Sequence, residues 1–289
     1  MRITNKMMTA NIKRNVFRQS EQLLNSQEVL SSGKRINRPS DDPVGTGKIL
    51  DYRRTLASFE QYDRNIQQAK NRIEFMETTL EGVEELIVDA KNWAVNQAGS
   101  STADREAAIS SVQNIREQIL QLANAKMGRN YIFAGFQTDG PAFDASGGYN
   151  GDNGYFSVLT GDGAEMQLEA DGGRVFQGTE DVFDALDDLV TGLLTDDVTL
   201  IDAQIDRLIG AQAQVQEVRS ESGAHYQQLE LSEGQMAKLK MTVEELLDRT
   251  EKASVEEAII NLKNQEMAYE IALNTSARIV QPTLMNFLR

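Results

Sequence analysis

One long stretch of this sequence repeats apolar residues at alternating steps of four and three positions. Such spacing is typical of a coiled-coil seam, because it keeps the apolar side chains on one side of a helix. Counted from Tyr62 to Ala94 at a rise of about 1.5 Å per residue, the stretch extends about 50 Å. The stretch therefore predicts a long helix that needs an equally long apolar partner. Its nine seam positions are Ile66, Ala69, Ile73, Met76, Leu80, Val83, Ile87, Ala90 and Ala94.

Proline is scarce enough to allow long helices on both sides of the middle. Only four prolines occur, at positions 39, 43, 141 and 282, and proline interrupts helices. A second helix is predicted around Ile109 to Leu122. A further seam runs from Leu208 to Leu246, and three of its twelve positions are polar, so we expect it to be only partly buried.

Both ends of the chain carry narrow apolar rows. Burying about ten apolar side chains in residues 1–30 contributes about 20 kcal/mol in total. Ordering the thirty residues costs about 1–2 kcal/mol for each, so the total cost exceeds this gain. We therefore expect the ends to order by packing against each other and against neighbouring subunits. The alternative, that the same helices close a monomeric bundle, stays open. The rows comprise Val16, Leu23 and Leu30, with Phe17 and Leu24 beside them, and Leu262, Tyr269, Leu273 and Val280.

The middle of the chain differs from its flanks in glycine content and charge. Eleven of the 21 glycines lie between positions 135 and 178, among aromatic and β-branched residues. This composition favours short strands and tight turns. Residues 139–206 hold sixteen Asp or Glu against one Arg. The sequence thus predicts a small, acidic, β-rich insertion between helical flanks, which we expect to form a separable, solvent-facing module.

Composition excludes several classes of chemistry. Cysteine is absent and His225 is the one histidine, so thiolate sites and mechanisms that need two imidazoles are excluded. The net charge of −15 opposes nucleic-acid binding. We interpret His225 as a packing residue and the Asn150 to Gly154 loop as a turn, not a calcium site. We expect no catalytic residue, no cofactor and no metal site. We also expect no membrane insertion, because no run of 18 apolar residues occurs.

The most specific local pattern is the segment SSGKRINRPSDDP, residues 31–43. Gly33 can end a helix, and the Arg38–Pro39 step requires an extended residue. Asp42 before Pro43 is a good N-cap followed by the favoured first-turn proline. The segment predicts a turn between two long helices, with local ion pairs between its basic and acidic side chains.

This segment resembles the signature that follows the first helix in the flagellin superfamily, and residues 284–289, LMNFLR, resemble flagellin C-termini. The opening residues MRITNKMM and the segment NYIFAGFQTDGPAF, residues 130–143, resemble the members that join the flagellar hook to the filament more than flagellin itself. The resemblance covers about two-thirds of the chain.

The resemblance implies a mainly α fold with a small β-rich insertion, in which the N- and C-terminal segments form a long antiparallel helical bundle. Together with the patterns above, it predicts five segments. An N-terminal amphipathic helix, residues 1–42, pairs with a C-terminal one, residues 255–289. A helical rod comprises residues 43–137 and 200–254, and residues 138–199 form the acidic outer domain.

The resemblance also implies a structural subunit without enzymatic activity, located in the extracellular flagellum. It implies export by the flagellar type III route, which agrees with the lack of a cleavable signal peptide pattern. Its expected partners are a ring of its own copies, hook-associated protein 1 on the hook side, flagellin on the filament side and an export chaperone. The expected interface residues are Val16, Leu23, Leu30, Arg35, Asn37, Pro39, Ser40, Asp41, Asp42, Pro43, Leu262, Tyr269, Leu273, Val280, Leu284, Phe287 and Leu288.

Two other functions remain open from the sequence. A filament-forming flagellin would share the same helical ends. A coiled-coil adaptor or an acidic enzyme would instead stay in the cytoplasm. Detection of the chain in culture medium, and its loss when the flagellar exporter is disabled, separates the secreted candidates from the cytoplasmic ones.

We predict that mild proteolysis of the purified monomer removes roughly the first 30 to 40 and the last 30 residues, because their apolar rows lack partners there. Mass spectrometry of the surviving fragment should show a core from about Thr46 to Thr250. Uniform resistance from Met1 to Arg289 would instead support the closed monomeric bundle.

Overall fold

The computed structural model describes residues 5–99, 105–169 and 171–280. Long helices account for most of these residues, and the strands form two small two-stranded antiparallel sheets. The predicted fold class, mainly α with a small β-rich insertion, is confirmed. In chain order the elements are α1 Asn5–Ser32, α2 Pro43–Ala98, α3 Arg105–Ala123, β1 Lys126–Met127, β2 Asn130–Tyr131, β3 Tyr155–Gly161, β4 Ala164–Glu169, α4 Gly172–Phe176, α5 Val182–Thr195, α6 Val198–Glu251 and α7 Val255–Val280.

The chain forms two compact units. The terminal unit comprises Met1–Ser58 and Leu239–Arg289, and the central unit comprises Phe59–Lys238. Both α2 and α6 contribute residues to each unit. The structure groups the first residues of α2 and the last residues of α6 with the terminal helices. The predicted division into five segments stays a prediction.

The core of the central unit is built on the apolar side of α2. All nine predicted seam positions, from Ile66 to Ala94, are buried. From Met76 onward they pack in one cluster with apolar residues of α3, α5 and α6. The predicted α6 seam is buried at Leu208, Ala211 and Val215. The long helix therefore has the extended apolar partner that its spacing requires.

The central insertion completes this core and is not a separable module. Phe143, Phe176 and Phe183 are all buried in the cluster that contains α2 and α3. The ring centroids of Phe143 and Phe176 lie 5.1 Å apart in an edge-to-face arrangement. The expected independence of this segment is wrong because its apolar side chains face the bundle while its carboxylates remain outside.

One helix within the insertion was not expected from its glycine content. The carboxylate of Asp181 accepts hydrogen bonds from Phe183 N, at 2.9 Å, and Asp184 N, at 3.1 Å. This cap begins α5, and Asp196, which follows its last residue Thr195, has the left-handed conformation with a φ of 59°. One carboxylate of the acidic middle therefore serves to start a helix.

The β3–β4 hairpin packs on another part of α2. Val158, Met166 and Leu168 point from alternate strand positions into a small cluster with Ile66 and Ile73. The Asn65 side chain donates to the Leu159 carbonyl at 3.0 Å. The hairpin thus covers the early part of the α2 seam, beyond the reach of α3 and α5.

We predict that Phe176→Ala lowers the free energy of unfolding by about 3–5 kcal/mol, since Phe176 is fully buried among aromatic rings and its loss leaves a cavity. Urea denaturation followed by circular dichroism measures the change. Phe136→Ala is the matched control, because Phe136 is 71% exposed and its truncation should change stability by less than about 0.5 kcal/mol. Equal effects of the two substitutions would contradict this account of the core.

Candidate assembly interface

The connection between α1 and α2, residues 33–42, is here called the first turn. Gly33 has a φ of +68°, which glycine adopts without strain, and it ends α1. Asp41 Oδ2 accepts hydrogen bonds from Asn37 N, at 3.1 Å, and Arg38 N, at 2.8 Å. Asp42 Oδ1 accepts one from Gly45 N at 2.8 Å and caps α2. The adjacent aspartates therefore have separate roles, one inside the turn and one at the helix start.

The first turn is joined to the connection between α6 and α7. Arg35 N donates to the Glu251 carbonyl at 2.7 Å, and Ala253 N donates to the Gly33 carbonyl at 2.9 Å. Lys34 and Lys252 form an isolated antiparallel bridge. Ser254 caps α7 through a hydrogen bond from Glu257 N at 3.3 Å. The beginning of α7 is thereby fixed beside the end of α1.

The Glu251 side chain lies at the centre of this junction and is buried. Its Oε1 is 2.6 Å from Lys34 Nζ and 2.8 Å from Arg53 Nη2. Burial alone raises the pKa of Glu251, but the hydrogen bond from Lys34 and the charge of Arg53 outweigh it and hold the pKa below its usual value of 4.5. Glu251 was not among the expected site residues, because its partners are about 200 positions away in sequence.

Ion pairs also shape the outer side of the first turn. Arg38 pairs with Glu28 at 2.8 Å, and Arg35 approaches Asp42 at 3.5 Å. The Gly45 amide, together with Arg35, lowers the pKa of Asp42. The turn is close to charge balance, and Pro39, Ser40, Asp41 and Pro43 are exposed.

A cavity of about 230 Å³ lies beside the turn. Ile36 and Ile49 form its buried apolar side, and Arg38 and Arg53 contribute cationic groups. Within the described ranges, the Thr46 hydroxyl is buried without a hydrogen-bond partner. The first turn therefore presents both a polar exposed edge and a partly apolar recess.

Helices α1 and α7 pack against each other as an antiparallel pair. The end of α1 meets the start of α7, and further along a groove of about 460 Å³ is lined by Ile12, Asn15, Ala272 and Thr275. The predicted rows are half-buried at Val16, Leu23, Leu30, Leu262 and Tyr269, whereas Leu273 is 43% exposed. The side chain of Val280, and residues Leu284, Phe287 and Leu288, lie outside the described part of the chain.

Each terminal helix also carries a second apolar row that its own chain leaves exposed. On α1 it contains Phe17, which is 63% exposed, and Leu24. On α7 it contains Ile260, Met267 and Ile271, all exposed, of which Ile271 also borders the groove beside α1. The seven-residue step from 260 to 267 is the sequence signal for the α7 row, which was missed because the neighbouring row satisfied the same spacing. These exposed side chains widen the apolar surface of both helices and offer a contact for a second partner.

Other groups weighed from the sequence have structural roles or lie apart from this junction. His225 is half-buried in the central unit, and the Ser222 hydroxyl donates to the Val218 carbonyl at 2.8 Å. Asp152 Oδ1 accepts from Phe136 N and Gly154 N, which shapes the Asn150 to Gly154 loop. Across residues 5–99, 105–169 and 171–280, no group of acidic or histidine side chains is arranged to hold a metal ion. No helix in the same ranges is long and apolar enough to cross a membrane.

Residues 3–138 match the family described as the bacterial flagellin N-terminal helical region. The flagellar hook-associated protein 3 of Salmonella typhimurium is 33% identical over 156 residues, which are 52% of this chain and 49% of that protein. The protein of the same name in Escherichia coli K12 is 28% identical over 151 residues, 51% and 48% of the two chains. The chain spans about half the length of these relatives.

The fold also resembles a solved flagellar hook-associated protein of Vibrio parahaemolyticus. The TM-score is 0.69 at 23% sequence identity, and the match covers 73% of this chain and 100% of the Vibrio chain. At this identity, the likeness shows a shared fold.

We predict that Glu251→Gln lowers the free energy of unfolding by about 1 kcal/mol at neutral pH, because the half-exposed Lys34 and Arg53 lose their shared carboxylate. Since the folded pKa of Glu251 lies below 4.5, its contribution is present in full above pH 4.5 and is lost as the pH falls through the folded pKa. Urea unfolding between pH 3 and 7 tests both points. Glu245→Gln, which affects only an exposed pair with Arg249, should be nearly neutral, and a difference between Glu251→Gln and wild type that persists unchanged at low pH would contradict the role of the charge.

Proposed function

We propose that this chain is a structural subunit of the bacterial flagellum that joins the hook to the filament. The proposal starts from the resemblance of the chain to flagellar hook-associated protein 3. The observation that carries the proposal is the first turn, whose SSGKRINRPSDDP segment lies within the matched flagellin N-terminal region and links the two terminal helices. The outward apolar rows on α1 and α7 agree with a subunit that is completed by its neighbours.

The proposed partners follow from this role. Copies of the chain form a ring, with hook-associated protein 1 on the hook side and flagellin on the filament side. An export chaperone holds the chain before secretion through the flagellar exporter, without a cleaved signal peptide. The proposed contacts include the exposed edge of the first turn and both terminal helices. No catalytic step, metal or cofactor is part of this function.

The proposed division of labour also follows the two units. The terminal helix pair supplies assembly contacts, because its apolar rows exceed what its own seam buries. The long helices around the α2 seam supply a stiff rod, since their core is continuous from Met76 to Ala94. The acidic middle segment keeps its carboxylates on the outside of that rod.

A filament-forming flagellin is the second candidate, favoured by the matched flagellin N-terminal region. The two candidates differ in self-assembly. A filament subunit polymerises alone into long filaments, whereas a junction subunit does not. Electron microscopy of the purified, concentrated protein separates them.

Deletion of the gene tests the junction role directly. Electron microscopy of the mutant cells should show completed hooks without filaments, and immunoblotting should find flagellin released into the medium. Normal filaments on the deletion strain would contradict the proposal.

We predict that Asp41→Ala with Asp42→Ala reduces swimming while leaving secretion intact, because the turn loses its internal hydrogen bonds and the α2 cap. Swimming in soft agar and immunoblots of the medium measure the two effects. Asp51→Ala is the matched control, since Asp51 is exposed on α2 and makes one loose ion pair with Arg54. Normal swimming of the double variant would remove the turn from the interface.

A further inference from the structure

The tip of the β1–β2 hairpin is cationic within a strongly acidic unit. The central unit, residues 59–238, contains 12 Lys or Arg and 31 Asp or Glu, a net charge of −19. At the hairpin turn, Lys126, Met127, Gly128 and Arg129 are all exposed, and Gly128 has a φ of +68°. These four residues are here called the cationic tip.

Five other arginines of the central unit, at positions 105, 116, 174, 207 and 219, pair with carboxylates of their own chain. Arg64 and Arg72 donate hydrogen bonds to neutral oxygens instead. Arg116 pairs with Asp187 at 2.6 Å, and Arg207 pairs with Asp188 at 2.7 Å. Arg219 is bound to Glu77 at 2.7 Å. In contrast, Arg129 has no acidic partner among the described residues, and Lys126 lies 4.3 Å over the ring of Tyr131. The cationic tip thus carries positive charge that its own unit leaves unpaired.

A groove elsewhere on the central unit has the opposite character. It has a volume of about 400 Å³ and lies along α2 beside Arg219. The Glu84 carboxylate in the groove already accepts hydrogen bonds from Gln216 and Arg219, which lower its pKa. Glu85 and Asp89 are exposed, and within the described ranges neither has a cationic partner. The groove, here called the acidic groove, is lined by Glu81, Glu84, Glu85, Val88, Asp89 and Arg219.

The acidic groove holds like charges close together on one helix. Glu81, Glu85 and Asp89 follow each other at steps of four, so their side chains lie on the same side of α2. Like charges at this spacing destabilise a helix slightly. Arg219 already lies 4.0 Å from Glu81, and a further cation beside Glu85 and Asp89 would remove the remaining repulsion. Val88 offers an apolar contact at the same place.

We propose that the acidic groove of one copy binds the cationic tip of a second copy of this chain. Lys126 and Arg129 supply the charge that Glu85 and Asp89 lack, and the exposed Met127 supplies an apolar side chain for Val88. Two copies of a unit with the same large net charge repel each other, so close approach requires local complementarity of this kind. The inference rests on the proposed function, because it names the partner surface through which copies meet in the ring.

The tip and the groove are different surfaces, so the contact is heterologous. Each copy can engage one neighbour through its tip and another through its groove. Such a contact closes into a ring when the rotation between copies allows it, and otherwise continues as a helix. The arrangement therefore suits a subunit that assembles around an axis.

Cysteine cross-linking tests the contact, because the native chain contains no cysteine. Full-length Met127→Cys and Val88→Cys proteins retain all charges of both surfaces and are mixed with a short bis-maleimide. Leu194→Cys replaces Val88→Cys in the control, since Leu194 is exposed on α5 outside the groove. We expect a cross-linked dimer from the tip and groove pair in clear excess over the control, decreasing at high salt. Equal yields, or no cross-linking, would overturn the inference.

Charge reversal provides a second readout. Glu85→Arg alone and Arg129→Glu alone, introduced into both cross-linking partners, should each lower the yield by roughly fivefold. Both substitutions together should restore it, because the signs again match. Asp202→Arg changes the net charge equally outside the groove and should have little effect. A combined variant no better than the single ones would overturn the inference.

The outcome is separable from that of the proposed function. If the deletion strain lacks filaments while the cross-linking yields are equal, only the docking of tip and groove is wrong. If the deletion strain keeps its filaments, the junction role is wrong whatever the cross-linking shows.

Discussion

Burial of the apolar side of α2 is the constraint on which the central unit depends. A seam of nine positions from Ile66 to Ala94 must be covered along about 40 Å, and among the described residues no single neighbouring element does this. The β3–β4 hairpin covers the beginning, and α3, α5 and the aromatic cluster around Phe176 cover the remainder together with α6. The insertion is therefore part of the core because the helix is too long for α3 alone.

The parts of this fold that repeat along the sequence could be predicted, since periodicity determines which side of a helix is buried. Periodicity predicted the α2 seam. Local residue types predicted the caps at Asp42 and Ser254 and the end of α1 at Gly33. The helix α5 was not predicted, because its flanking aspartates and nearby glycines resemble turn signals. Its buried positions Phe183, Leu186 and Leu189 carry the helical spacing that would have identified it.

The candidate interface was predictable in its local parts only. The role of Asp41 and Asp42 follows from residues a few positions away, and the α1 and α7 rows follow from their spacing. The junction at Glu251 depends on Lys34 and Arg53, which come close to it only after the chain has folded. The exposed row of Ile260 and Met267 shows a further difficulty: spacing identifies apolar rows but does not decide which row faces the chain's own partner.

The distribution of charge explains how the two units can differ in their contribution to assembly. The terminal unit contains 17 Lys or Arg and 13 Asp or Glu, a net charge of +4, whereas the central unit carries −19. Apolar rows on a nearly neutral unit can pack against copies with little electrostatic cost, and burial of their exposed side chains contributes about 1.5–3 kcal/mol each. Beyond a Debye length of about 8 Å, central units of like charge repel each other only weakly, whereas at contact they repel each other strongly. In the proposed assembly, contacts between central units therefore have to be small and locally complementary, and the larger share of the free energy has to come from the terminal helices.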